Sequence, residues 1–257
     1  MKKINDFDMK KINDNEYLGK ICDLLSCVEE KEQKAMELAA SSAYQSIKNG
    51  GLLHVFSSGH SHMIAEEMFY RAGGLVPINP ILDESLMVHK GALQSTRNER
   101  VRGKAEEILE KENLKEGDTI IISSNSGINV VGIEAALFAK RKGLTVVAIT
   151  SVESSKELES RHESKKKLYQ VSDVVIDNHV PFGDGMLTVP VNNQTTAGGS
   201  TFSSLFIAQR IVLMIENLYL EEGETPPVFI SANVPNGMEH NLELIEQYKD
   251  RITLLQK

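Results

Sequence analysis

The chain has 257 residues, 41% apolar and 25% charged, an ordinary soluble composition with enough length to bury a core without disulfides. Lys and Arg number 28 against 36 Asp and Glu, a net charge of -8, which argues against general nucleic-acid binding but leaves room for a local anion site built from backbone N–H groups. No apolar run reaches the roughly 20 residues of a membrane-spanning helix, and the polar start has no signal-peptide core, so a cytoplasmic protein with no membrane partner is expected.

Residues 1–16 read as a polar leader, in which KKIND occurs twice without making a structural repeat. Tyr17 to Lys48 carries apolar residues at three- and four-residue spacing and ends at Asn49-Gly50-Gly51, the pattern of a long amphipathic helix. Its surface could supply a dimer contact or pack on the chain's own sheet. Cys22 and Cys27 fall on different faces of that helix, so no disulfide is expected. Leu52 to Phe56 is a buried-type strand, Ser57 to Ser61 a Gly/Ser turn, and His62 to Arg71 a helix. Leu75 to Ile78 reads as a second strand that Pro77 confines to an edge or a strand end. Residues 79–103 are loop-rich, and Val101 to Glu112 is a helix.

Thr119 to Ser123 is again a buried-type strand, followed by a polar turn over 124–129 and a helix from Val130 to Lys142. Thr145 to Thr150 is the next strand, and this strand–helix–strand spacing implies a parallel sheet. Val174 to Ile176 is a short strand, Pro181 to Pro190 a loop, and Ser203 to Leu220 a helix too apolar for a surface position. Val228 to Ile230 is a short strand or connector, and Met238 to Leu255 a final amphipathic helix. No composition break divides residues 17–257, which read as a single domain.

Two turns share one design: each follows a buried strand, is rich in Ser, holds one Gly, and leads into a helix. Gly lets the chain turn tightly, and the helix start offers unpaired N–H donors with a partial positive charge. Ser is also simply a good helix cap, so one such turn says little; two in one parallel sheet favour an anion site at the carboxyl ends of the strands. Neither turn is a Walker loop or a G-x-G-x-x-G dinucleotide turn, so NTP and NAD are disfavoured and no cofactor is expected. The basic run Arg161, Lys165, Lys166 and Lys167 reads as a solvated helix end, with a phosphate-facing patch as the alternative.

Val55-Phe56-Ser57-Ser58-Gly59-His60-Ser61, then Ile121-Ile122-Ser123-Ser124-Asn125-Ser126-Gly127-Ile128-Asn129-Val130, then Ala139 to Ser151 resemble the sugar isomerase (SIS) domain. That family has a Ser/Thr-rich first loop and an S-x-S-G-x-[TS] second loop. The likeness covers roughly residues 17–220. Within the family the chain looks similar to bacterial SIS proteins near the phosphoheptose isomerases and the N-acetylmuramic acid 6-phosphate etherases. The resemblance implies a three-layer α/β/α fold with a five-stranded parallel sheet, flavodoxin-like, plus an N-terminal helical segment. It implies a phosphorylated sugar ligand and a homodimer or higher homo-oligomer. Carried over by motif, Ser58, Gly59, His60 and Ser61 of the first loop and Ser124, Asn125, Ser126, Gly127 and Asn129 of the second would hold the phosphosugar. Asn129 departs from the family's Thr or Ser but can still donate through its amide.

Aldose–ketose isomerisation needs a base beside C2 and an acid at the carbonyl oxygen. Phosphoheptose isomerases place a catalytic glutamate in a run like Ala65-Glu66-Glu67. Glu67 is the candidate base, with Glu66 or His89 assisting; a solvated glutamate pair is the plain alternative. Those enzymes also carry histidines on the long C-terminal helix. Residues 201–222 have none, with Gln209 the nearest polar substitute, so metal-assisted isomerisation is not expected. Asp83, Glu84 and His89 lie in the loop after the second strand, and His89, Ser95, Thr96, Arg97 and Arg100 mix acid–base and anion-binding types. Asp177, His179 and Asp184 follow the fourth apparent strand; the default is loop polar residues bonded to backbone, and a divalent-ion site is the alternative. Asn192, Asn193, Thr195, Ser200 and Thr201 resemble a helix start that could touch the sugar, and His240 reads as a cap or surface residue. The expected function is phosphosugar isomerisation or related lyase chemistry; the alternative is a phosphosugar sensor acting through a protein partner.

Overall fold

The computed structural model describes residues 11–256, so most of the polar leader lies outside the described residues. Helix α1 (Glu16–Lys48) runs 33 residues and stops where Asn49 donates back to Gln45 and Ser46 and Gly50 turns at φ +77°. Cys22 and Cys27 on it are free. The chain then gives β1 (Leu53–Ser57), α2 (His62–Met68), β2 (Ile78–Ile81), α3 (Ala92–Asn98), α4 (Lys104–Leu109), β3 (Thr119–Ser123), α5 (Val130–Arg141) and β4 (Thr145–Thr150). After it come α6 (Val152–Glu157), α7 (Leu168–Val171), β5 (Val174–Asp177), β6 (Gly185–Thr188), β7 (Thr195–Gly198), α8 (Ser200–Glu221) and α9 (Gly237–Tyr248).

Strands β1 to β5 form one parallel sheet in the order β2-β1-β3-β4-β5. Side chains alternate across it with period two. Leu53, Val55, Ile121, Val147 and Ile149 face a core closed by α1, α2 and α8. Phe56, Ile120, Ile122, Val146 and Ala148 face a second core closed by α4, α5 and α7. Both faces are covered, which is why the interior positions of β1, β3 and β4, His54 apart, are apolar rather than alternating with polar residues. The three-layer architecture and the helical amino-terminal segment expected from the sequence are therefore present.

Chain direction across the sheet reverses after β2, which lies outside β1, to β3 on the other side. The connections leaving β1 and β3 thus depart toward opposite faces and open a crevice at their carboxyl ends. That places the two Ser/Gly turns side by side at the mouth of one crevice, since Ser57 pairs with Ser123.

The opposite end of the sheet is closed by a buried polar network. Asp118 accepts from the Leu52 N–H at 3.0 Å, the Lys115 N–H at 2.9 Å and Arg251 Nη2 at 2.7 Å, and lies 2.9 Å from His54 Nε2. Asn79 adds contacts of 3.1 Å to His54 Nδ1 and 3.0 Å to Glu112. Burial alone would raise the Asp118 carboxyl, but its bonds to His54, Arg251 and the backbone prevail and lower it from 3.8 to about 2. Arg251 also donates to the Gly50 and Asn113 carbonyls, so the network pins the chain's last turns to the base of the sheet.

Several boundaries differ from the sequence reading. The second strand begins at Ile78 rather than Leu75; Leu75 instead bridges Val228, and β2 is an edge strand that tolerates Pro80. Helix α2 ends at Met68 because Phe69 is extended. Segment 79–103 contains α3, the helix after it is trimmed to Lys104–Leu109, and the last helix stops at Tyr248. The segment read as a loop at 181–190 holds β6, paired antiparallel with β7.

Candidate active site

The first loop is shaped by backbone geometry. Ser57 Oγ donates to the Ser61 carbonyl at 2.8 Å, and the Ser61 N–H donates to the Ser58 carbonyl at 3.2 Å. Gly59 turns at φ +60°, and a Cβ there would stand 3.0 Å from Glu99 Oε1, so both the turn and the close approach require glycine. His62, buried at the start of α2, contacts the Gly59 carbonyl through Nδ1 at 3.1 Å, while its Nε2 has no partner. Burial pushes its pKa down, and the Nδ1 contact to the Gly59 carbonyl fixes the turn.

The second loop is held from three sides. Asn125 accepts from the Ser151 N–H at 2.9 Å and from Thr150 Oγ1 at 3.2 Å, both at the end of β4. The Gly127 carbonyl accepts from the Leu168 N–H at 2.8 Å, and the Gly127 N–H donates to Ser124 Oγ at 3.3 Å. Gly127 sits at φ +62°, where an added Cβ would meet Thr150 Oγ1 at 2.8 Å. Buried Asn178, just past β5, donates to Asn125 Oδ1 at 2.9 Å and through its carbonyl accepts from Ser203 of α8 at 2.6 Å. It therefore ties the second loop to α8 and leaves the Asn125 NH2 to donate into the crevice.

Between the loops lies a narrow cleft of about 20 Å³, lined by His60, Ser61, Met63, Ile64 and Asn125, with Ser200, Thr201 and Ser204 of α8 completing its lining. Met63 and Ile64 contribute apolar surface to it, and Ser61, Asn125, Ser200, Thr201 and Ser204 contribute hydroxyls and an amide. The first N–H groups of α8 do not open onto this cleft unmet: Asp184 Oδ1 accepts from Gly199 at 3.2 Å and Ser200 at 2.8 Å, and Oδ2 from Ser200 Oγ at 2.8 Å. The β6–β7 hairpin thus caps α8 with a carboxylate.

The structure brings Ser61, His60 and Asn125 together around this cleft, with Ser124 and Ser126 half-buried on the turn behind Asn125. Asn129 is engaged at both ends: its Nδ2 donates to Glu99 Oε2 at 2.6 Å, and its Oδ1 accepts from Arg161. Glu99 had no place in the sequence reading. The Ser58 side chain also lies against its carboxylate, so one acid spans both loops. Burial pushes the Glu99 carboxyl up, against the lowering pull of Ser58, Arg100 and Arg161.

The other acid–base candidates lie apart. Glu67 is one turn past the cleft wall, accepts from Gln209 Nε2 at 2.8 Å and pairs with Arg71; Glu66 and His89 are exposed. Asp177 accepts from the Val152 and His179 N–H groups, its side chain lies 4.0 Å from His179 Nδ1, and Glu32 of α1 contacts both His179 Nε2 at 2.9 Å and the Asp177 N–H at 3.1 Å, whereas Asp184 caps α8. Asn192, Asn193 and Thr195 stand exposed on the hairpin, and His240 contacts the Val228 carbonyl.

An open parallel sheet of this order, with a polar cleft at the carboxyl ends of its two central strands, defines the doubly wound ligand-binding class of α/β proteins. The SIS domain family model matches residues 16–151. A UPF0309 protein of Geobacillus thermodenitrificans is 44% identical over 246 residues, covering 94% of this chain and 97% of that protein. Among solved structures, the phosphoheptose isomerase of Neisseria gonorrhoeae superposes with a TM-score of 0.54 at 17% identity, over 78% of this chain and 95% of that one. The sugar isomerase domain of the RpiR transcription factor from Sphaerobacter thermophilus superposes with a TM-score of 0.50 at 11% identity, over 92% and 97%. The chain belongs to the SIS domain family.

Proposed function

We propose that this protein binds a phosphorylated sugar in the cleft between its two loops and isomerises it or performs related lyase chemistry on it. The carrying observation is the convergence of Ser61, Asn125 and the α8 hydroxyls of Ser200, Thr201 and Ser204 on one cleft at the sheet's switch point. The phosphate sits over the second loop, with Ser124, Ser126, Ser61 and turn N–H groups as donors. The sugar hydroxyls lie toward His60, Asn125 and α8.

Both reactions begin by moving a proton next to a carbonyl, which calls for a carboxylate of raised pKa beside the sugar. Glu99 is one candidate: burial raises its carboxyl, and Asn129 and Ser58 hold it between the two loops. Glu67 is the second candidate, on the opposite wall and already paired with Arg71 and Gln209. Glu99→Gln is expected to lower turnover of the accepted phosphosugar roughly 10²–10⁴-fold while leaving its affinity within a few fold. Full turnover in Glu99→Gln with loss in Glu67→Gln would move the base to Glu67.

The second reading is a sensor without turnover, favoured by the superposition of nearly the whole chain on a transcription factor's sugar isomerase domain. The two separate on one assay: a sensor binds one phosphosugar and never converts it. A dye-based thermal shift against sugar phosphates, amino-sugar phosphates and free sugars selects the ligand, since the chain has no Trp for intrinsic fluorescence.

A further inference from the structure

The basic run Arg161, Lys165, Lys166 and Lys167 divides in two. Lys167 donates to the Ser155 and Lys156 carbonyls and so closes the end of α6, and Lys165 and Lys166 point to solvent. Arg161, exposed as well, is tethered instead to the second loop. Its N–H donates to the Ile128 carbonyl at 3.0 Å and its guanidinium to Asn129 Oδ1, so backbone and side chain are both fixed to the second loop.

Arg100 follows α3 and stands near enough for its charge to act on Arg161. Burial first, and then Arg100, hold the Arg161 pKa below its ordinary value. Among the described residues, arginine ion pairs within 4.0 Å are made by Arg71, Arg102, Arg141, Arg210 and Arg251, and not by Arg100 or Arg161. Glu99, the acid that faces them, is bonded to Asn129 instead. Two guanidiniums share this one facing carboxylate without an ion pair to it within 4.0 Å, and beside a turn already rich in N–H and O–H donors they leave a net positive charge for an anion. Asn129 gives one amide N–H to Glu99 and its Oδ1 to Arg161, so the free N–H groups of Arg161 are the charged donors at this position. A guanidinium fork with one arm fixed keeps its remaining N–H groups aimed for a phosphate oxygen pair.

We propose that Arg161, with Arg100 behind it, is the cationic arm of the second loop and binds the ligand's phosphate directly. The site then takes a dianionic phosphate ester and selects it over the neutral sugar by charge. This rests on the phosphosugar reading above and adds the group that recognises the charge.

The test is titration calorimetry of the full chain with inorganic phosphate and with hexose, hexosamine and pentose phosphates, at low and at physiological salt. Arg161→Gln should weaken phosphate and the preferred sugar phosphate by about 10-fold or more and flatten the salt dependence. Arg161→Lys, which keeps the charge but not the fork, should fall between it and the parent. Arg100→Gln should weaken binding less, and Arg102→Gln, whose arginine is paired with Glu163 at 2.9 Å on the same rim, should bind as the parent does. Sugar phosphate bound by the parent and by Arg161→Gln with equal affinity, yet lost in Ser124→Ala, overturns the Arg161 role and leaves the phosphosugar reading standing. Inorganic phosphate bound through Arg161, with no preference for any sugar ester, upholds the arm and removes the phosphosugar. No binding of phosphate or any ester to the parent overturns both.

Discussion

Replacing Asp118 with Asn tests the polar network at the base of the sheet. The carboxylate is 1% exposed and receives bonds from two backbone N–H groups, Arg251 and His54. Its pKa falls from 3.8 to about 2 on folding. A depressed carboxyl contributes stability that is complete above its unfolded value and is lost as pH drops through the folded one. A shift of this size is worth about 2 kcal/mol, delivered above pH ~4 and gone by pH ~2. The substituted amide would also set an NH2 against donors and leave the Arg251 charge without its acceptor. Asp118→Asn should therefore cost about 3–5 kcal/mol at pH 7. Urea unfolding of parent and variant from pH 7 to pH 2 reads both numbers. The gap between the two curves should narrow by about 2 kcal/mol as pH falls through 4 to 2. A gap that stays constant with pH would show that the stabilisation is not carried by the ionised form, and would refute the reasoning.

Gly127→Ala must place a Cβ 2.8 Å from Thr150 Oγ1 at φ +62°. It should cost about 2 kcal/mol and displace the second loop, seen as a lower Tm and weaker sugar-phosphate binding; an unchanged Tm and affinity would contradict the packing described. Asp184→Ala removes three bonds at the start of α8 and should cost about 1–2 kcal/mol, a fall of a few degrees in Tm, with increased amide exchange at Gly199 and Ser200 as the local signature.

Much of the architecture is local, and local structure is written in short stretches of sequence. The runs Leu53–Ser57, Thr119–Ser123 and Thr145–Thr150 are apolar at every interior position but His54 because helices cover both sheet faces, and that near-continuous pattern announces a buried parallel strand. Gly59 and Gly127 mark their turns because each sits at positive φ against a close neighbour. Ser61 and Asn125 lie where the loops meet, and their motifs named them. The β6–β7 hairpin went unread: its four-residue strands are half-exposed and carry no clear alternation, so periodicity has nothing to register. The edge strand shifted by three residues because Leu75 found a partner in Val228, more than 150 residues away.

The residues invisible in the sequence are those whose role depends on distant partners. Glu99 lies in a segment that reads as loop, and it matters because folding sets it against Ser58 and Asn129, one strand on either side of the switch point. Asn178 looked like one more polar residue after a strand until its side chain met Asn125 and its carbonyl met Ser203. Arg161 was one of four basic residues, and only the tertiary structure parted it from the lysines. Periodicity and turn chemistry depend on residues a few positions apart, so the sequence by itself determined the strands, the turns and the family they belong to. Hydrogen bonds across 25 to 53 residues depend on strand order, so only the folded sheet decided which acid and which arginine face the cleft loops.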